Sequence, residues 1–98
     1  MPNAYMVVTY RAIKDPEALA AYAKIAGPAI EAAGGKFLVR GEPSKTYALG
    51  VNLRVVISRF DSVEQAIAAY ESPAYKKALE VLGEVAVQRD MRIVQGID

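Results

Sequence analysis

Ala4–Ile13 (AYMVVTYRAI) is apolar on both sides of any strand it forms, with Ala4, Met6, Val8 and Tyr10 on one side and Tyr5 and Val7 on the other. A strand of that kind has to be covered twice. A chain of 98 residues is large enough for one core, but it buries only about 65% of the surface that its unfolded form exposes. Yet 53% of its residues are hydrophobic, more than so small an interior absorbs. The excess calls for a partner, and the simplest partner is a second copy, giving a homodimer.

The rest of the chain supplies cover for one side. Asp15-Pro16-Glu17 is a helix start, with Asp15 as N-cap, Pro16 at the first helical position and Glu17 beside the positive end of the dipole. Leu19, Tyr22, Ala23, Ala26, Ile30 and Ala33 follow as a stripe at helical spacing. Gly27-Pro28 is expected to bend or break this helix, because Pro28 has no donor and crowds the preceding turn. Gly34 ends it, Lys36–Gly41 reads as a second strand, Glu42–Asn52 as the longest loop and Leu53–Phe60 as a third strand. Asp61 and Ser62, with Glu64 and Gln65 three residues after them, form a capping-box pattern. Val63, Ile67 and Tyr70 are the expected buried stripe behind it. Ser72-Pro73 restarts the helix, Tyr75, Leu79, Leu82 and Val85-Ala86 continue an apolar side, and Arg89–Ile97 closes as a fourth strand. This order predicts an α+β, ferredoxin-like βαββαβ fold with a four-stranded antiparallel sheet, as one domain over residues 1–98. Its helices cover one face only, so the other face must meet something else.

Period-two alternation sorts the strands. Ala4, Met6, Val8, Tyr10, Phe37, Val39, Leu53, Val55, Ile57, Met91 and Ile93 are expected to face the helices. The opposite set is mixed: Tyr5, Val7, Thr9, Arg11, Lys36, Leu38, Arg40, Arg54, Val56, Ser58, Phe60, Arg92 and Val94. Within Gly34-Gly35-Lys36-Phe37-Leu38-Val39-Arg40-Gly41, Arg40 puts a guanidinium on an otherwise apolar surface, where it needs an anion, a carboxylate or water. Arg40 and Arg54 lie on strands expected to be antiparallel neighbours. Their guanidiniums are expected to converge beside Tyr5 and Ser58 on the mixed face, with the Glu42–Asn52 loop at the mouth. These four are the candidate binding residues. Tyr22, Tyr70 and Tyr75 sit on helical stripes and read as core or interface tyrosines with a wet hydroxyl.

Composition excludes several chemistries. There is no cysteine and no histidine, which removes disulfides, thiol nucleophiles, the usual transition-metal ligands and the default acid–base residue at neutral pH. The carboxylates are scattered, so neither a metal nor a cofactor is expected. A net charge of +1 with no basic run gives no footprint for nucleic acid. No apolar run approaches about 20 residues and no signal-peptide pattern opens the sequence, so no membrane association is expected and the cytoplasm is the expected compartment.

Asp15-Pro16-Glu17, Ala26-Gly27-Pro28, the Gly34–Gly41 block, Arg54 followed by apolar residues to Phe60, Ser72-Pro73-Ala74-Tyr75 and Arg92-Ile93-Val94-Gln95-Gly96 together resemble domain-of-unknown-function family 1330. The resemblance runs over nearly the whole chain and is most specific around Arg40. It implies a bacterial protein of the dimeric α/β-barrel superfamily, whose ferredoxin-like protomers pack sheet against sheet. That superfamily includes cofactor-independent monooxygenases, isomerases, haem-using peroxidases and small-molecule binders, so fold alone leaves the chemistry open. The chain departs from the family at Arg59, where a glutamate is usual, which removes the carboxylate that an acid–base role would use. Tyr47–Asn52 also replaces a Trp- and Pro-containing approach to the third strand. Without histidine, a haem would lack its usual proximal ligand.

The leading expectation is a homodimer that binds a small anionic or polar molecule in a pocket beside the sheet. The alternatives are a cofactor-independent monooxygenase or isomerase, and a structural dimer whose interior is filled by side chains.

Overall fold

Asp15 begins the first helix as its spacing predicts, its carboxylate accepting from the Ala18 amide at 3.1 Å. In the computed structural model, which describes residues 2–98, the elements are β1 (Ala4–Ile13), α1 (Pro16–Ala32), β2 (Lys36–Gly41), β3 (Val55–Phe60), α2 (Val63–Tyr70), α3 (Pro73–Leu82) and β4 (Val87–Gln95). The sheet order is β2-β3-β1-β4, with every neighbouring pair antiparallel. This is the ferredoxin-like arrangement, with the second helix divided at Ser72-Pro73. Ser72 caps the new segment by accepting from the Tyr75 amide at 3.2 Å. No helix among the described residues is long and apolar enough to cross a membrane.

Two helix expectations need correction. Pro28 does not break α1, which runs through it to Ala32. Its ring is exposed, so the missing bond leaves only the Lys24 carbonyl without its helical donor, on a helix side that water reaches. In α2 the buried residues are Ala66 and Ala69, while Ile67 is 41% exposed. The helix lies close to the sheet, and small side chains allow that approach.

The end of α1 and the start of α2 are tied by one side chain. Ser62 caps α2 by accepting from the Gln65 amide at 3.1 Å, and Gln65 Oε1 accepts from the Asp61 amide at 2.8 Å. The reciprocal half of the capping box is thus displaced by one residue. Gln65 Nε2 also donates to the Ala33 carbonyl at 3.2 Å, in the turn where Gly34 adopts φ +98°. Gln65→Ala should therefore cost about 1–2 kcal/mol, through the lost tie as well as the cap. Urea titration is the check. A change within about 0.5 kcal/mol would class Gln65 with ordinary surface positions.

The sheet register overturns part of the face assignment. Ala4, Met6 and Val8 lie opposite Phe60, Ser58 and Val56, so those β3 residues share the helix-covered face. Phe60 and Ser58 are 1% and 2% exposed. In β2 a bulge at Leu38 shifts the register between Phe37 and Val39, so Phe37 and Arg40 both pair on the covered side, opposite Ser58 and Val56. Val55 and Ile57 pair on the open face with Thr9 and Val7. Both alternating sets of β3 are apolar, so period alone gives no sign there, and a one-residue bulge inverts everything after it. The β1 and β4 assignments agree with the register: Met91 and Ile93 lie with Val8 and Met6, and Arg92 and Val94 with Val7 and Tyr5.

The open face therefore has an apolar centre of Val7, Val39, Val55, Ile57 and Val94. Val39 and Val94 are 42% and 51% exposed. Asp90, gripped by Arg92 at 3.0 Å and approached by Arg11 at 3.7 Å, lies at its margin.

Candidate functional site

Helix α1 packs chiefly on α3 and stands off the central strands. Its sheet-facing side carries Ala23, Ala26 and Gly27, residues too small to fill the gap beneath. A cavity of about 640 Å³ results, within the range typical of small-molecule sites. Its floor on the sheet is apolar, built from Met6, Val8, Phe37 and Val56, and Leu19 and Ile30 of α1 face it. Its polar lining consists of Arg40, Arg54, Arg89, Glu42, Ser58 and the tyrosines Tyr10, Tyr22 and Tyr75.

Three of the four candidate residues meet here. Arg40 stacks on Phe37, with its guanidinium carbon 4.6 Å from the ring centroid, and its Nη1 lies 3.8 Å from where a side chain on Gly27 would begin. It thus spans from the sheet edge to α1. Arg54 lies just before β3, its carbonyl accepting from the Tyr10 amide at 3.2 Å. Ser58 opens onto the cavity from the centre of the sheet. These three line one cavity, on the opposite face of the sheet from the one expected.

Tyr5 does not join them. It belongs to the open face, where its hydroxyl donates to Asp98 at 2.5 Å. That bond raises the Tyr5 pKa and holds the Asp98 carboxyl below its usual range. Tyr5 is removed from the cavity by the same alternation that puts Ala4 and Met6 beneath the helices.

The inner end contains a cluster that the sequence did not flag. Arg89, at the start of β4 and opposite Tyr10 in the register, donates through Nη1 to Tyr22 at 2.9 Å and to Tyr10 at 3.4 Å. Its Nη2 reaches Tyr75 at 3.5 Å. The Tyr22 and Tyr75 hydroxyls share a short hydrogen bond, and their rings meet edge to face. Burial pushes the Tyr75 and Tyr10 phenols up, although Arg89 acts against the rise in both and Arg54 in Tyr10. Burial also opposes the Arg89 charge, but its coupling to Tyr22 and Tyr75 overrides this and raises its pKa, so it remains a cation. The available signal was register: a positive residue two before Met91 falls on the same face as Met91 and Ile93.

Both ion pairs among the described residues involve Asp90 on the open side. Arg40, Arg54 and Arg89 are therefore without a carboxylate partner there. The described residues contain no cluster of three or more acidic, histidine or cysteine side chains able to hold a metal ion. Chemically, the cavity offers positive charge and hydrogen-bond donors above an apolar floor.

Solved structures share this architecture. A structural-genomics protein of unknown function from Rhodopseudomonas palustris superposes with a TM-score of 0.76 at 22% identity, covering 99% of this chain and 84% of that one. A candidate antibiotic biosynthesis monooxygenase from Caulobacter crescentus gives 0.64 at 13% identity, over 99% and 92%. A Nipsnap family protein of unknown function from Agrobacterium tumefaciens gives 0.56 at 17%, over 97% and 88%. At these identities the likeness is one of fold. The sequence has no significant match among proteins of curated function. The family model of the domain of unknown function DUF1330 matches residues 3–97, nearly the whole chain, and the protein belongs to that family.

Proposed function

We propose that the protein is a homodimer, joined through the open sheet face, in which each protomer binds a small organic anion in the cavity between α1 and the sheet. The observation that carries the ligand reading is the set of three arginines on one apolar-floored cavity with no carboxylate paired to any of them. Guanidiniums that line a cavity without a carboxylate partner are ready donors to an anion, which supplies the missing counter-charge. Ser58 adds a hydroxyl at the centre of the floor, and Glu42, the one carboxylate of the lining, follows Gly41 at the end of β2. The apolar residues exposed on the other face support the dimer, since a second sheet is the cover of matching shape.

Thermal melts with a panel of benzoate, aliphatic carboxylates and phosphate test the ligand reading. An anion at roughly ten times its dissociation constant should stabilise by about 1.4 kcal/mol, several degrees for a domain of this size. Arg40→Met should abolish that gain while changing the unliganded melt by less than about 1 kcal/mol, because Arg40 is exposed and unpaired. An unchanged melt in the variant and no anion effect in the parent would make Arg40 a merely solvated residue and remove the proposal's main support.

A second reading, a cofactor-independent oxygenase or isomerase, is favoured by Tyr10, whose phenol lines the cavity 3.4 Å from the Arg89 guanidinium. The similarity in fold to candidate antibiotic biosynthesis monooxygenases points the same way. Turnover of quinols or lactones would move the protein into that class. A cavity of this size speaks against a purely structural dimer with a filled interior.

A further inference from the structure

The inner cluster is unbalanced in one direction. Tyr10, Tyr22 and Tyr75 supply the only acceptors, their three phenol oxygens, and Arg89 donates to all of them. One phenol proton is used between Tyr22 and Tyr75. Two phenol protons, that of Tyr10 and one from the Tyr22–Tyr75 pair, are left without an acceptor in the cluster. Every phenol oxygen is thus satisfied, while donors remain in excess beside a half-buried cation that lacks a counter-charge. All four side chains line the cavity. A cluster serving only to knit α1 and α3 to the sheet would balance donors against acceptors, as Gln65 does at the other end of α1.

We infer that Arg89, Tyr10, Tyr22 and Tyr75 form an oxyanion site that takes the phenolate or enolate oxygen of an aromatic or enolic ligand and holds it ionised. The inference rests on the reading of this cavity as a ligand site and names the class of ligand. Both Nη1 hydrogens and one Nη2 hydrogen of Arg89 are engaged by phenols, so its end-on fork is occupied and the cluster meets a ligand chiefly through phenol hydroxyls, single donors suited to one oxygen rather than to the two-oxygen grip that a carboxylate prefers. Rotatable hydroxyl protons on side chains that line one cavity suit a single oxygen with concentrated charge. The apolar lining of Met6, Val8 and Val56 from the sheet and Leu19 and Ile30 from α1 suits a flat hydrocarbon body behind it. Arg54, beside Tyr10, adds positive potential at the same end. A ligand with a carboxylate besides its phenol or enol would engage Arg40 as well, across the width of the sheet.

4-Nitrophenol is a direct probe, because its phenolate is coloured and its phenol is not. The protein should bind it as the phenolate, lowering its apparent pKa by about one unit or more, a tenfold preference for the ionised form. Tyr10→Phe keeps the ring, the Tyr22–Tyr75 bond and Arg89, and should weaken binding about tenfold while returning the ionisation toward its free value. Arg89→Gln should do the same more strongly, and Arg40→Met should leave this probe almost unaffected. Failure to bind, binding with an unchanged or raised pKa, or indifference to Tyr10→Phe with the fold intact would overturn the inference. Benzoate binding that depends on Arg40 but not on Tyr10 or Arg89 would likewise overturn it, while the anion reading of the cavity survived.

Discussion

Phe60→Ala is expected to remove about 3–5 kcal/mol of stability, the usual cost of emptying a buried aromatic site. Phe60 is 1% exposed at the end of β3, opposite Ala4 and beneath the turn that follows α1. Gly35 sits so close that a Cβ there would lie 2.7 Å from the Phe60 ring and 2.6 Å from Ile30 Cγ2. The glycine and the ring are therefore complementary, and neither neighbour can collapse fully into the space the ring leaves. Against a total of about 5–15 kcal/mol for an ordinary domain, this loss would leave the variant near its unfolding threshold. Urea denaturation measures it, with Tyr47→Ala as the control, since Tyr47 is 77% exposed. A loss below about 1 kcal/mol would mean that the β3 register described above is wrong.

The second large effect concerns assembly. Ile57 lies at the centre of the open face, paired across the sheet with Val7 and Val39. In a two-fold dimer through this face, Ile57→Asp places two unpaired carboxylates in an apolar interface, at a cost of several kcal/mol. Light scattering should show a dimer for the parent and a monomer for the variant at micromolar concentration, with circular dichroism unchanged because no protomer core residue is touched. A monomeric parent, or a variant that remains dimeric, would exclude this face as the interface.

Much of the fold was legible from local chemistry. Asp15-Pro16, Ser62 with Gln65, and Ser72-Pro73 each mark a helix start by a named hydrogen bond, and all three bonds form. The bounds of β1 and β2 match the sequence reading, while β3 begins two residues later than Leu53 and β4 spans Val87–Gln95. The two-faced character of β1 survives as alternating buried and half-buried positions. What the sequence could not show was phase. In β3 both alternating sets are apolar, and the bulge at Leu38 has no marker residue, so the sequence puts Arg40, Arg54 and Ser58 on the open face, whereas they line the cavity on the covered one. Tyr5 was grouped with them only through that inversion. In the sequence Arg89 is only the first residue of the fourth strand, with nothing local to mark it as buried. Only the register, which sets it beside Tyr10, and the approach of α1 and α3, which bring Tyr22 and Tyr75, show that it is held inside.

The most direct test of the central claim is a titration of the isotope-labelled protein with benzoate and 4-nitrophenol, followed through its backbone amide resonances. Binding in the cavity between α1 and the sheet should produce saturable shifts at Tyr10, Ala23, Gly27, Phe37 and Ser58, which line it, and leave Val7, Ile57 and Val94 on the open face undisturbed. Shifts concentrated on the open face, or none that saturate, would contradict it.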